Sequence, residues 1–227
     1  YIFNPVNNSL NFIEGSDNQI INDIVVDNQN QIWLGTDMGI ILYRNVFFNA
    51  PYKKLTQRYI QDVRKGPGLS TFFSDGLKVY EVDEKMNVSS FYIPQSGLVI
   101  CLVADTNGVY MGTNNGKLIY KPYTGNVVTT DYSKIGYGIY SILIDRESYV
   151  WFIQSRPDKE TLIRIDPKGE AIDFTPELKE GQRVRSLKLS PEGEVYIGAT
   201  GELNYLFKYN YKLNKVENIS LPVQSQI

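Results

Sequence analysis

The chain reads as an all-β protein, a β-propeller of four-stranded antiparallel blades, on three observations. A single pattern recurs five times: a β-rich arm, an Asp or Ser, a polar turn, a second arm with an aromatic, then small and polar residues. The copies lie about 40 residues apart, the length of a four-stranded blade. No stretch carries a 3.6-residue apolar stripe long enough for a helix.

The copies are INDIVVDNQNQIWLGTDMG from Ile21, IQDVRKGPGLSTFFSDG from Ile60, VICLVADTNGVYMGTNNG from Val99, IYSILIDRESYVWFIQSRP from Ile139 and VRSLKLSPEGEVYIGATG from Val184. With Trp33, Thr71, Tyr110, Trp151 and Tyr196 as equivalents, the steps are 38, 39, 41 and 45 residues. The second copy is the weakest, because Thr71 stands where the others have an aromatic. Each copy is followed by a second alternating pair of arms, such as GKLIYKPYTGNVVTTDYS, around a turn rich in Asp, Asn, Pro, Gly or Lys. The N-terminal YIFNPVNNSLNFI matches only the last two strands of a repeat. The expected units are therefore a half blade over 1–17 and blades over 18–57, 58–96, 97–136, 137–181 and 182–227, about five and a half in all. A half blade leaves apolar faces and strand edges unpaired, which marks the chain as an excerpt of a longer, seven-bladed propeller.

Radial packing accounts for the pattern. Strands nearest the axis are expected to be buried on both faces, and the aromatics of the next strands to wedge between sheets. Asp23, Asp62, Cys101, Ser141 and Ser186 occupy one inner-strand position and are all small or short. The Gly-Thr and Gly-Ala steps after the aromatic allow close backbone approach.

Composition limits the chemistry. The 227 residues are 42% hydrophobic, enough for a real core, and the net charge of -2 gives no reason to expect nucleic acid or an anionic membrane as partner. There is no His, and Cys101, in the apolar run LVICLVA, is the single Cys. His bases, Ser-His-Asp and Cys-His systems, and His- or Cys-based zinc sites are excluded, as is an internal disulfide. No run approaches the roughly 18 to 20 apolar residues of a membrane span, and YIFNPVNNSL is no signal peptide. No direct membrane insertion is expected of this segment, and any targeting signal or anchor is expected outside it.

The sentence I-x-D-I-x-x-D-x-x-x-x-I-W-L-G-T-x-x-G from Ile21 to Gly39 resembles the two-component regulator propeller repeat. The resemblance runs along essentially the whole chain, strongest in the first, third and fourth copies. It implies a seven-bladed propeller in the periplasmic sensor region of a Bacteroidetes hybrid two-component system, followed by an immunoglobulin-like module, a membrane helix and a histidine kinase. It also implies oligosaccharide or other small ligands, with an adjoining sensor module or second subunit as partner. No such module, helix or kinase occurs in this sequence. A non-enzymatic, carbohydrate-sensing role follows from the resemblance, with a structural or protein-interaction propeller, such as a surface-secretion accessory, as the alternative. A propeller lyase is disfavoured, because the known lyase resembling these repeats relies on His.

Site residues follow from where the copies deviate. The turn Asp27–Gln31 looks faintly like a calcium loop but lacks its Gly and distal Glu, and its counterparts DTNG, DRES and SPEG mark it as a hairpin turn. No metal site and no cofactor are expected. Asp23 and Asp62 are expected to accept backbone amides of a neighbouring blade rather than to form a catalytic pair. Ligand contacts are expected at the end bearing the blade connections and the loops between second and third strands, where variation costs little packing. The candidates there are Arg58, Tyr59, Tyr137, Arg156, Asp158 and Arg183, since aromatic rings stack on sugars and charged forks bond hydroxyls.

Overall fold

The computed structural model describes residues 2–4, 9–11, 19–43, 53–54, 58–92, 97–157, 159–178, 180–200 and 205–219. All regular structure among them is β. A hairpin of β1 (Ile2–Asn4) and β2 (Ser9–Asn11) precedes five four-stranded sheets. The first is β3 (Ile21–Val26), β4 (Ile32–Thr36), β5 (Gly39–Tyr43) and β6 (Lys53–Lys54). The second is β7 (Asp62–Lys65), β8 (Thr71–Ser74), β9 (Lys78–Val82) and β10 (Val88–Tyr92), and the third β11 (Val99–Ala104), β12 (Gly108–Thr113), β13 (Lys117–Pro122) and β14 (Val128–Asp131). The fourth is β15 (Ile139–Ile144), β16 (Val150–Ser155), β17 (Glu160–Ile165) and β18 (Ala171–Asp173), and the fifth β19 (Arg183–Leu189), β20 (Val195–Thr200), β21 (Tyr205–Asn210) and β22 (Lys215–Ile219). Each is a simple antiparallel meander, and the first strands pack against one another in succession from β3 to β19. This is the blade architecture of a propeller.

Two expectations need correction. The register pairs Asp23 with Gly35 and Asp62 with Ser74, so Phe72, two residues before Ser74, is the counterpart of Trp33. The second copy keeps its aromatic wedge, and Thr71 lies beside it. The inner strands are also less buried than expected: β3 and β19 are largely open, whereas β8 and β17 are buried throughout and β16 nearly so. A first strand is the edge of its sheet, while the middle strands are covered by neighbouring sheets on both faces.

In the first and fourth repeats the opening turn holds the aromatic in place. Asp27 is buried, its Oδ1 accepting the amides of Gln29 and Gln31 and its Oδ2 the indole Nε1–H of Trp33 at 2.8 Å. Asp145 repeats this with the amides of Glu147 and Tyr149 and with Trp151 at 2.8 Å. The motif that looked like a cation loop turns its carboxylate inward, onto the wedge. Asp105 and Ser190 keep the amide part of the device where the aromatic is Tyr.

One contact ties each sheet to the next. The carbonyl two residues before the small inner-strand position accepts a side-chain donor from the preceding sheet at all four junctions. Asn22 Nδ2 reaches Ile60 at 3.1 Å, Ser74 Oγ reaches Val99 at 3.0 Å, Cys101 Sγ reaches Ile139 at 3.1 Å and Tyr140 Oη reaches Val184 at 2.9 Å. Asn22 and Tyr140 can do so because a register shift in the first strand re-aims them. Cys101, expected as a buried apolar filler, is buried and also serves as a donor. Burial, and after it the Asp62 carboxylate, pushes its thiol well above the ordinary range. At Gly112 an added Cβ would come within 2.6 Å of Cys101 Sγ and 2.7 Å of the Ile139 carbonyl, so the close approach expected of the Gly-Thr step occurs here.

Replacing Asp27 by Ala strands the Trp33 indole and two turn amides. Denaturant unfolding should show a loss of about 2 kcal/mol or more, the scale of buried polar groups left unsatisfied; a loss within error would show that the turn holds without its carboxylate.

Candidate functional site

Of the six residues singled out by sequence, five lie in described segments and they do not form one cluster. Tyr59 is half exposed beside the first two sheets, its hydroxyl donating to Asn22 Oδ1 at 3.1 Å. Arg58 lies next to it, with Nε 3.7 Å from the carboxylate of Asp75. Tyr137 and Arg156 meet at the third and fourth sheets. The Tyr137 amide donates to the Ser155 carbonyl, its own carbonyl accepts from Gln154 Nε2, and Arg156 Nε donates to the Ile135 carbonyl. Asp158 lies outside the described residues. Arg183 stands at the junction of the fourth and fifth sheets.

That junction has the most developed polar arrangement at this end of the blades. Glu160, the first residue of β17, is only 2% exposed. Its Oε1 accepts from Arg183 at 3.3 Å and from Arg185 at 3.2 Å, both on β19, while its Oε2 is buried with no hydrogen-bond partner. Both guanidinium groups are partly exposed, which leaves further N–H groups facing solvent. Tyr140 closes one side through Val184, and burial, then the Glu160 carboxylate, pushes its phenol up. A cleft of about 560 Å³ adjoins, lined by Lys159, Glu160, Asp173, Thr175, Glu177 and Gln182 among others. Residues 175–178 and 180–182, between β18 and β19, form much of its wall. Two forked donors thus stand on β19 beside the cleft, held by a carboxylate whose second oxygen is buried and unengaged. Glu160, Arg185 and Tyr140 escaped the sequence reading. Their one signal was charge or an aromatic at positions where other copies have Met38, Asn22 or Ile100.

The carboxylate pair behaves as structure. Asp23 Oδ2 accepts the Val63 amide at 3.1 Å and Asp62 Oδ2 the Leu102 amide at 2.7 Å, each from the following sheet, as expected. Arg64 bridges the two at 2.6 Å and 2.9 Å. Burial, partly opposed by Arg64 and reinforced by Asp23, raises Asp62 well above the ordinary carboxyl range. At Asp23 burial pushes the same way but is outweighed by a hydrogen bond from Asp62, by Arg64 and by the amides, so its carboxyl is lowered. Asp62 is thus the more readily protonated member of the pair.

Residues 14–38 match the family model described as the two component regulator propeller. The chain is similar to the extracellular domain of the putative hybrid two component system BT3049 from B. thetaiotaomicron, at 16% identity and a TM-score of 0.65, covering 90% of this chain and 28% of that one. It is also similar to a catalytically inactive virginiamycin B lyase from Staphylococcus aureus with quinupristin, at 13% identity and a TM-score of 0.68, covering 93% and 72%. A third likeness is to the WD40 β-propeller domain of Doa1, at 10% identity and 0.63, covering 86% and 65%. At such identities these likenesses show the propeller fold. The chain spans less than a third of the BT3049 domain. No curated protein matches it.

The raised carboxyl of Asp62 has a testable sign. Because the folded value of Asp62 is raised, the stability it contributes is complete below the unfolded value near ~3.9 and is lost as pH rises through the folded value. Asp62→Asn cannot ionise, so its melting temperature relative to the unmodified chain should climb as pH rises from the unfolded value through the raised folded value. A difference independent of pH would mean that Asp62 holds no raised proton.

Proposed function

We propose that the chain belongs to the periplasmic sensor region of a hybrid two-component system, where it binds an oligosaccharide or similar polyhydroxylated ligand without turning it over. The observation that carries this reading is the Glu160, Arg183 and Arg185 arrangement beside a cleft whose volume lies within the range of small-ligand sites. The solvent-facing N–H groups of Arg183 and Arg185 suit the oxygens of a sugar, and the carboxylates of Asp173 and Glu177 in the cleft wall suit its hydroxyl protons. The two-component propeller repeat at 14–38 and the likeness to the extracellular domain of BT3049 support the sensor setting. The lack of His and the engagement of Asp23 and Asp62 with backbone amides support binding over catalysis. Binding across two sheets would shift them against an adjoining module or second subunit only through contacts that differ between the two arrangements.

The interaction-propeller reading has an observation of its own. Ile20, Met38, Tyr59, Leu77 and Leu98 are exposed at the same end, along the first three sheets. Titration calorimetry with oligosaccharide pools separates the readings. Saturable heat is expected with at least one pool, and Arg183→Ala combined with Arg185→Ala should weaken it by about tenfold or more, since bonds from charged donors are removed. Heat unchanged in the double variant would place the ligand elsewhere; no heat from any pool would favour a protein partner.

A further inference from the structure

The junctions of the later sheets can be compared position by position at the opposite end, where the aromatic wedges lie. At the junction of the fourth and fifth sheets the wedge Trp151 pairs across strands with Arg164, and the slot beside them is full. Phe174 follows β18 there, its amide bonded to the Leu162 carbonyl, and Tyr209 enters from β21. Trp151 lies 5.4 Å from Phe174 and 4.8 Å from Tyr209, edge to face with the latter. The Arg164 guanidinium sits over Phe174 at 4.5 Å and over Tyr149 at 4.3 Å.

At the junction of the third and fourth sheets the register gives the same four positions to other residues. Tyr110 and Tyr120 pair as Trp151 and Arg164 do, and their rings stack at 4.3 Å. Thr130, opposite Leu118, stands where Phe174 stands opposite Leu162. Ile165, one step beyond the Trp151–Arg164 pair, stands where Tyr209 lies one step beyond the Tyr196–Lys208 pair. Two rings are thus replaced by smaller side chains, and a cleft of about 360 Å³ opens with all four residues in its wall. The second sheet carries Phe91 at the position of Thr130, paired with Val79. The vacancy thus sets this junction apart from that of the fourth and fifth sheets, and the platform of two tyrosines is kept in it, with Leu118 and Val150 beside it.

We propose that this slot is a binding site for an aromatic ring ligand. The chain itself shows what such a slot accepts: at the neighbouring junction it is filled by a phenyl and a phenol ring against the wedge aromatic. The platform offers the same faces and edges for offset or edge-on packing. The apolar floor of Leu118, Val150 and Ile165 suits a ring, and the hydroxyls of Thr130 and Ser148 at its rim suit a phenol or indole substituent. The site lies away from the Glu160 cleft and does not depend on the sugar-sensing reading.

Fluorine NMR titration of the chain with fluorophenol tests it. Saturable line broadening is expected, to be lost in Thr130→Phe, which supplies the ring that Phe91 and Phe174 supply elsewhere, while the melting temperature is held or raised. Phe174→Thr should open the corresponding slot and add a second class of site; if that variant does not fold, Thr130→Phe alone decides. Binding unchanged in Thr130→Phe, or absent from the unmodified chain, overturns the proposal. So does displacement of fluorophenol by cellobiose at equal concentration, which would make the slot a sugar site.

Discussion

The backbone carbonyl that begins each first strand is where one sheet is fastened to the next, and the geometry of the whole depends on its being met. A carbonyl buried between two sheets cannot turn to water, so the preceding sheet must bring a donor to it. Asn22, Ser74, Cys101 and Tyr140 do so from different lengths and from different strands. On the same seam the Asp23 and Asp62 carboxylates take the amides of Val63 and Leu102, with Arg64 between them. With these contacts in place the sheets are aligned, and the apolar wedges can meet without leaving polar groups exposed to a dry interior.

Around that seam the chain divides its two ends. Where second strands turn into third strands, repeat positions have been given over to Glu160, Arg183 and Arg185, and packing tolerates it because the neighbouring connection lies at the surface. At the other end the turns hold the wedges, through Asp27 on Trp33 and Asp145 on Trp151. Variation there changes how completely the space between sheets is filled. The aromatic and arginine cage about Arg164 and the open slot beside Tyr110 and Tyr120 are two solutions at one position.

The sheets were legible because a repeat reports its own period. Five copies of one hairpin, each with a trailing pair of arms, define five four-stranded units without help from any contact. The role of Asp23 and Asp62 was legible for the same reason, since a residue that obeys the repeat serves the fold. The misplacement at Thr71 arose where Gly66-Pro67-Gly68 obscured the turn length, and only cross-strand pairing reveals Phe72 as the wedge. The clustering of site residues was not legible. Arg58 and Arg183 look alike in sequence, yet one faces Asp75 and the other a buried Glu160, because that depends on which third strand reaches which connection. The slot at Thr130 needed two comparisons at once, within a sheet and across a junction.

The four junction donors differ in chemistry: an amide, a hydroxyl, a thiol and a phenol. Similar as the blades are in outline, each is therefore keyed to its successor. Moving one blade to another place in the order would bring the wrong reach to the waiting carbonyl, too short where Tyr140 is required and too long where Ser74 fits. Duplication can generate such an array, but once the keys have diverged the order is fixed, and recombination between blades becomes costly even where their sequences still align. For anyone assembling chimeric propellers from these repeats, the exchangeable unit is the donor on one sheet together with the acceptor strand of the next.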